Sequence, residues 1–161
     1  MILGFKKQFT QPILEGAKIH TIREDQKNRW KVGNKIHFAT GTRTKHYNQF
    51  NEGMCTSVQP IILVNHGNHI YCKIQTGENN YIHNDCVEHE NIKWYSGHLT
   101  RRGLLGDLCR NDGLTLNEFK QWFIPKQGNK FEGKIIHWTD FKYLPSPTKT
   151  VAEALTKQFD F

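Results

Sequence analysis

The order in which apolar patterns change along the chain constrains the fold more than any other feature. Residues 2–5, 18–23, 35–39, 56–64, 70–76 and 134–141 are β-branched, aromatic or alternating runs and read as strands. Helical spacing is confined to short stretches. Phe9, Ile13 and Leu14 share one face of residues 7–15, with Pro12 early and Gly16 where a C-terminal cap belongs. Leu104, Leu105 and Leu108 form a second stripe, broken by Asn111-Asp112-Gly113. Thr115-Leu-Asn-Glu118 has capping-box spacing and opens a helix carrying Leu116, Phe119, Trp122 and Phe123. The series is strand, helix, four strands, helix pair, strand, and a doubly wound parallel sheet, which needs a helix after nearly every strand, is excluded.

An α+β chain is expected, as a small curved mixed or antiparallel β-barrel with peripheral helices. At 161 residues and 37% hydrophobic content the chain is long enough for one cored domain and too apolar to be disordered. Residues 40–54 are polar and aperiodic, which predicts a long loop, and His66-Gly67-Asn68 predicts a hairpin turn. The domain is expected to span residues 1–143, with 144–161 a tail, frayed or folded into a short docked helix. The longest aliphatic run, Ile61-Ile62-Leu63-Val64, is far short of the roughly 20 residues of a membrane helix, so no membrane partner is expected. The first residues lack the layout of a signal peptide, which makes the cytoplasm the expected compartment.

Charge is concentrated. Residues 1–45 hold ten basic and three acidic side chains, which is the whole of the net charge of +7. This excess points to an anionic partner near the N-terminal segment and is expected to form the basic rim of one pocket. His66, His69 and Cys72, then His83, Cys86 and His89, repeat at three-residue spacing, but no zinc-site spacing is matched, and scattered polar residues on loops and strand edges are the favoured reading. No metal site and no cofactor are expected.

The densest chemistry lies in Gly16-Ala-Lys18-Ile-His-Thr21-Ile-Arg23. A glycine at a helix end turns the backbone sharply, so Lys18 projects from the turn ahead of a strand bearing Thr21 and Arg23. A lysine set among Ile13, Leu14 and Ala17 is partly desolvated and so drawn toward a useful base. On local chemistry alone, the same residues also read as the solvated face of an edge strand. Residues three apart in a regular strand face opposite sides, so Lys18 reaches Thr21 only from the turn.

Gly16-x-Lys18-x-x-Thr21-x-Arg23 behind a helix resembles the signature of the ASCH domain family, and Asn111-Asp112-Gly113-Leu114-Thr115 with Glu118-Phe119 and Trp122-Phe123 is similar to that family's later helix-joint segment. The resemblance covers roughly residues 1–143 and implies a PUA-like β-barrel. Some small members of the family are amidohydrolases that remove the acetyl group from acetylated cytidine, using a lysine and a threonine placed as Lys18 and Thr21 are, and a glutamate where this chain has Asp112. By that resemblance Thr21 is the nucleophile, Lys18 its base, and Asp112 the group that orients Lys18 or shuttles the proton. Arg23, with Gly16 beside the turn, would bind substrate, a modified nucleoside or RNA. Two other functions fit such a scaffold. One is RNA binding without catalysis, with Trp30, Tyr47, Trp94 and Tyr95 as stacking platforms; the other is a ribonuclease that adds His20 as acid or base.

Overall fold

A computed structural model of the chain describes residues 1–65, 70–78, 81–84, 103–124 and 130–144. Its strands are β1 (Ile2–Phe5), β2 (His20–Arg23), β3 (Lys35–Thr40), β4 (Asn48–Met54), β5 (Ser57–Asn65), β6 (Ile70–Gln75), β7 (Tyr81–Asn84) and β8 (Lys130–His137). They form two sheets. One has the order β1-β3-β4, with β1 parallel to β3 and β4 antiparallel to it; the other, β2-β8-β5-β6-β7, is antiparallel throughout. A 3-10 turn at Lys7–Phe9 runs into α1 (Thr10–Leu14), and α2 (Gly103–Asn111) and α3 (Leu116–Phe123) follow the second sheet's hairpins. The chain is therefore of mixed α+β class, and no ladder joins the two sheets among the described residues.

Four elements depart from the sequence expectations. The second strand starts at His20 and not at 18, because the turn after α1 holds Lys18 outside the ladder. The second half of the expected 40–54 loop is β4, an edge strand paired to β3 through a register shift between Phe38 and Ala39. Its side chains are largely exposed, so backbone pairing and not apolar alternation defines it. The last strand runs Lys130–His137, four residues ahead of the expected 134–141, because the nine-residue β5 pairs with it from Val64–Lys130 to Ser57–His137. β7 carries no pattern that singled it out. The 66–68 turn, Trp94, Tyr95 and the tail from 145 onward lie outside the described residues.

β8 is the hub of the larger sheet, with β2 on one side and β5 on the other. Ile135, Ile136 and His137 are consecutive yet all buried, as a strand covered on both faces requires. Phe5, Phe38 and Trp138 pack ring to ring between the sheets, with centroids 5.0–6.1 Å apart. The expected capping box is present: Thr115 Oγ1 accepts from the Glu118 amide, and the Glu118 carboxylate accepts from the Thr115 amide at 2.8 Å. That cap starts α3 so that Phe119 is buried and Trp122 stands beside Phe9 of the first helical segment.

Candidate functional site

Two chain segments build the site. In the first, the chain leaves α1 through Glu15 and Gly16, the latter at φ +74°, a conformation that favours glycine. The amides of Ala17 and Lys18 both donate to the Pro12 carbonyl at 2.9 Å, turning the chain back on itself with Lys18 on the turn. In the second, the Asp112 amide donates to Leu108 at 3.0 Å and Leu114 to Cys109 at 2.9 Å, closing α2 through Gly113 at φ +69°. The Ile19 amide donates to the Asn111 carbonyl at 3.0 Å and stitches the two segments together. The absence of a side chain on Gly113 matters, because a Cβ there would sit 3.3 Å from Lys18 Cβ.

The side chains carried by these turns converge. Lys18 Nζ lies 2.7 Å from Asp112 Oδ1 and also donates to the Asp112 carbonyl oxygen at 2.5 Å, with the two side chains 1% and 2% exposed. Burial draws the Lys18 ammonium down to about 8; Asp112 opposes the shift and Arg23 adds to it. The Phe9 ring centroid is 4.8 Å from Nζ, which gives the buried cation a second source of stabilisation. Lys18, Thr21, Arg23 and Asp112 line one cavity of about 300 Å³, walled on its apolar side by Phe9 and Trp122.

Arg23 has two attachments. Its Nη2 donates to the Gly4 carbonyl at 2.7 Å and its guanidinium lies 5.3 Å from the Phe5 ring, so it ties β2 to β1 as well as facing the cavity. Burial lowers its pKa. Gly16 does not line the cavity; it shapes the turn that delivers Lys18. The expected basic rim contracts to Lys6, Lys18 and Arg23, since Lys7, Lys27, Arg29, Lys31, Lys35, Arg43 and Lys45 are exposed and do not line the cavity. Trp30 is 7% exposed and packed in the core, where it offers no stacking face, whereas Tyr47 is exposed.

Three further residues surround the ion pair. His20, the added acid or base of the ribonuclease alternative, is fully buried, with Nδ1 3.6 Å from Asp112 Oδ1 and Nε2 3.0 Å from the Tyr143 hydroxyl. Asn111 Nδ2 donates to the same hydroxyl at 3.2 Å. Tyr143 lies beyond the last strand, in a stretch without periodicity; only the adjacency of Asn111 to Asp112 hinted at this cluster. Among the described residues no group of three His, Cys, Asp or Glu side chains is placed to hold a metal, and His66, His69, Cys86 and His89 lie outside them. No described helix is long and apolar enough to cross a membrane. Comparison of the chain with protein-family models, curated proteins and solved structures finds no match in any of the three.

Proposed function

We propose that the chain is an ASCH-type amidohydrolase with a PUA-like barrel, cytoplasmic, that removes the acetyl group from acetylated cytidine in the cavity bounded by Lys18, Thr21, Arg23 and Asp112. The observation that carries this reading is the buried Lys18–Asp112 pair on the wall of a cavity that Thr21 shares. Amide hydrolysis at neutral pH needs a nucleophile, a base of matched pKa and an acid for the leaving amine. A lysine drawn down to about 8 is neutral in roughly a tenth of molecules at pH 7, enough to act as base and, once protonated, as acid.

In the proposed sequence neutral Lys18 takes the Thr21 hydroxyl proton as Thr21 Oγ attacks the acetyl carbonyl carbon. The tetrahedral oxyanion faces the Arg23 guanidinium. Collapse breaks the carbon–nitrogen bond, the Lys18 ammonium returns its proton to the departing exocyclic amine, and cytidine leaves an acetyl ester on Thr21. Water, deprotonated by Lys18, then attacks that ester; acetate departs and Thr21 recovers its proton. Asp112 holds Nζ in place throughout, and its side chain, one methylene shorter than glutamate, reaches Lys18 without a bridging water.

A cavity of about 300 Å³ is at the small end of ligand sites and suits one base with its acyl group better than a strand. Hydrolysis of acetylcytidine, followed chromatographically, tests the proposal. Lys18→Ala and Thr21→Ala are each expected to abolish it, and unchanged turnover in both variants overturns the mechanism. RNA binding is the competing outcome; it would show as affinity for strands that falls steeply with salt, where nucleoside hydrolysis is nearly indifferent to it.

A further inference from the structure

The hydrogen bonds behind Asp112 favour one placement of the proton on His20. Asn111 Nδ2 donates to the Tyr143 hydroxyl, and an amide nitrogen can only donate, so the hydroxyl proton is free for another acceptor. The atom facing it at 3.0 Å is His20 Nε2. A neutral imidazole that accepts at one nitrogen carries its proton on the other, here Nδ1. That nitrogen is buried, has no hydrogen-bond partner among the described residues, and lies 3.6 Å from Asp112 Oδ1, the oxygen that Lys18 already holds.

The groups around His20 are Asp112, Lys18, Tyr143 and His137. Burial, first of all, and the nearby Lys18 cation keep its ring neutral against the pull of Asp112. His137, whose ring centroid is 5.3 Å away, is itself held neutral by burial. A neutral N–H is thus placed beside a carboxylate whose hydrogen-bonded cation is Lys18, with the Arg23 guanidinium as a second charge acting on it. When Lys18 gives up its charge, Asp112 keeps only the Arg23 guanidinium as a cation within electrostatic reach and loses its hydrogen-bonded one, a state that is costly unless another donor reaches the carboxylate. An approach of roughly half an ångström brings Nδ1–H into hydrogen-bond range.

We infer that His20, fixed as the Nδ1–H tautomer by the Asn111–Tyr143 pair, is a positioning residue that keeps Asp112 an oriented carboxylate while Lys18 is neutral. The inference deepens the proposed amidohydrolase reading and rests on Lys18 acting there as the base. His20 touches no substrate; it favours the neutral-lysine, ionised-aspartate state on which that base depends.

Two measurements on the full chain test it. Long-range proton–nitrogen NMR of the histidine rings is expected to show His20 protonated at Nδ1 and bare at Nε2, and the opposite tautomer overturns the inference whatever the activity. His20→Asn places an amide nitrogen where Nδ1 stands, whereas His20→Gln fills the Nε2 position and removes the donor facing Asp112. The Lys18 titration, read by NMR of its side chain, is expected to move upward in His20→Gln and to stay near the wild-type value in His20→Asn. With acetylcytidine, kcat is expected to fall about ten- to a hundredfold in the Gln variant at unchanged KM, the scale seen when an orienting partner is lost, and to recover in the Asn variant. Identical behaviour of both variants reduces His20 to packing and overturns the inference. If wild-type protein leaves acetylcytidine intact while the tautomer and the Lys18 contrast hold, the proposed reaction fails and the His20 assignment stands.

Discussion

Lys18 and Asp112 are separated by 94 positions in the chain, yet their side chains meet at 2.7 Å with almost no exposure to water. A pair so placed is worth less to stability than the damage done by removing one member, because the survivor is a buried charge without compensation. Asp112→Ala and Lys18→Ala are each expected to destabilise the protein by about 3–5 kcal/mol. The double variant Lys18→Ala/Asp112→Ala is expected to lose clearly less than the two single losses added together. Urea denaturation of the four proteins checks this, and additive losses would show that the two charges do not interact.

Catalysis and ionisation are linked through the same lysine. Since the base must be neutral and burial draws Lys18 down to about 8, kcat/KM is expected to climb about tenfold per pH unit below that value and level off above it. A pH–rate profile on acetylcytidine between pH 5.5 and 10, on the order of two units either side of that pKa, checks the limb. A flat profile across this range removes Lys18 from the base role.

Acid lability is expected from His137. Its ring is fully buried, neither nitrogen has a hydrogen-bond partner among the described residues, and burial draws it from 6.5 down to about 3. The folded state therefore resists the proton that the unfolded chain accepts, so His137 supports the fold above pH 6.5 and that support is lost as pH falls toward 3. The slope is about 1.4 kcal/mol per pH unit for each proton taken up. His137→Phe is expected to flatten this limb in part, leaving the contribution of His20, which burial shifts in the same direction. Urea midpoints of both proteins from pH 7 to about 4, inside the window where the unfolded histidine protonates first, decide the matter.

Gly113→Ala sets packing against backbone geometry. The residue stands at φ +69°, and an added Cβ would press on Lys18 Cβ at 3.3 Å. Left-handed geometry alone costs about 1 kcal/mol for a non-glycine residue. The variant is expected to lose about that much stability and, through displacement of Lys18, more activity than a defect of that size explains. Full activity in a destabilised variant would separate the turn from the pocket.

Much of this architecture was legible because local chemistry and global fold agree. The Thr115–Glu118 box, the glycine after α1 and the Asn-Asp-Gly joint are signals whose cause lies within a few residues, and each appears where the pattern places it. The four polar residues picked from two blocks, Lys18, Thr21, Arg23 and Asp112, line a single cavity. What escaped depends on neighbours. β4 is a strand because β3 lies beside it, and the bounds of β8 follow the length of β5. His20 and Tyr143 meet only because β2 pairs with β8 and the chain after β8 folds back over them. Most of the basic excess lies away from the cavity, since charge counted along a sequence carries no information about the face on which each side chain emerges.

The hydrogen bond from the Ile19 amide to the Asn111 carbonyl has a consequence for how the molecule opens. It belongs to neither a helix nor a ladder, joins two half-buried residues, and lies beside a buried ion pair and a turn that packs on Lys18. Local fraying at either segment cannot release it; the two must separate. Exchange of that one amide with deuterated solvent therefore reads the integrity of the site directly, and occupation of the cavity slows it in proportion to the affinity of the occupant.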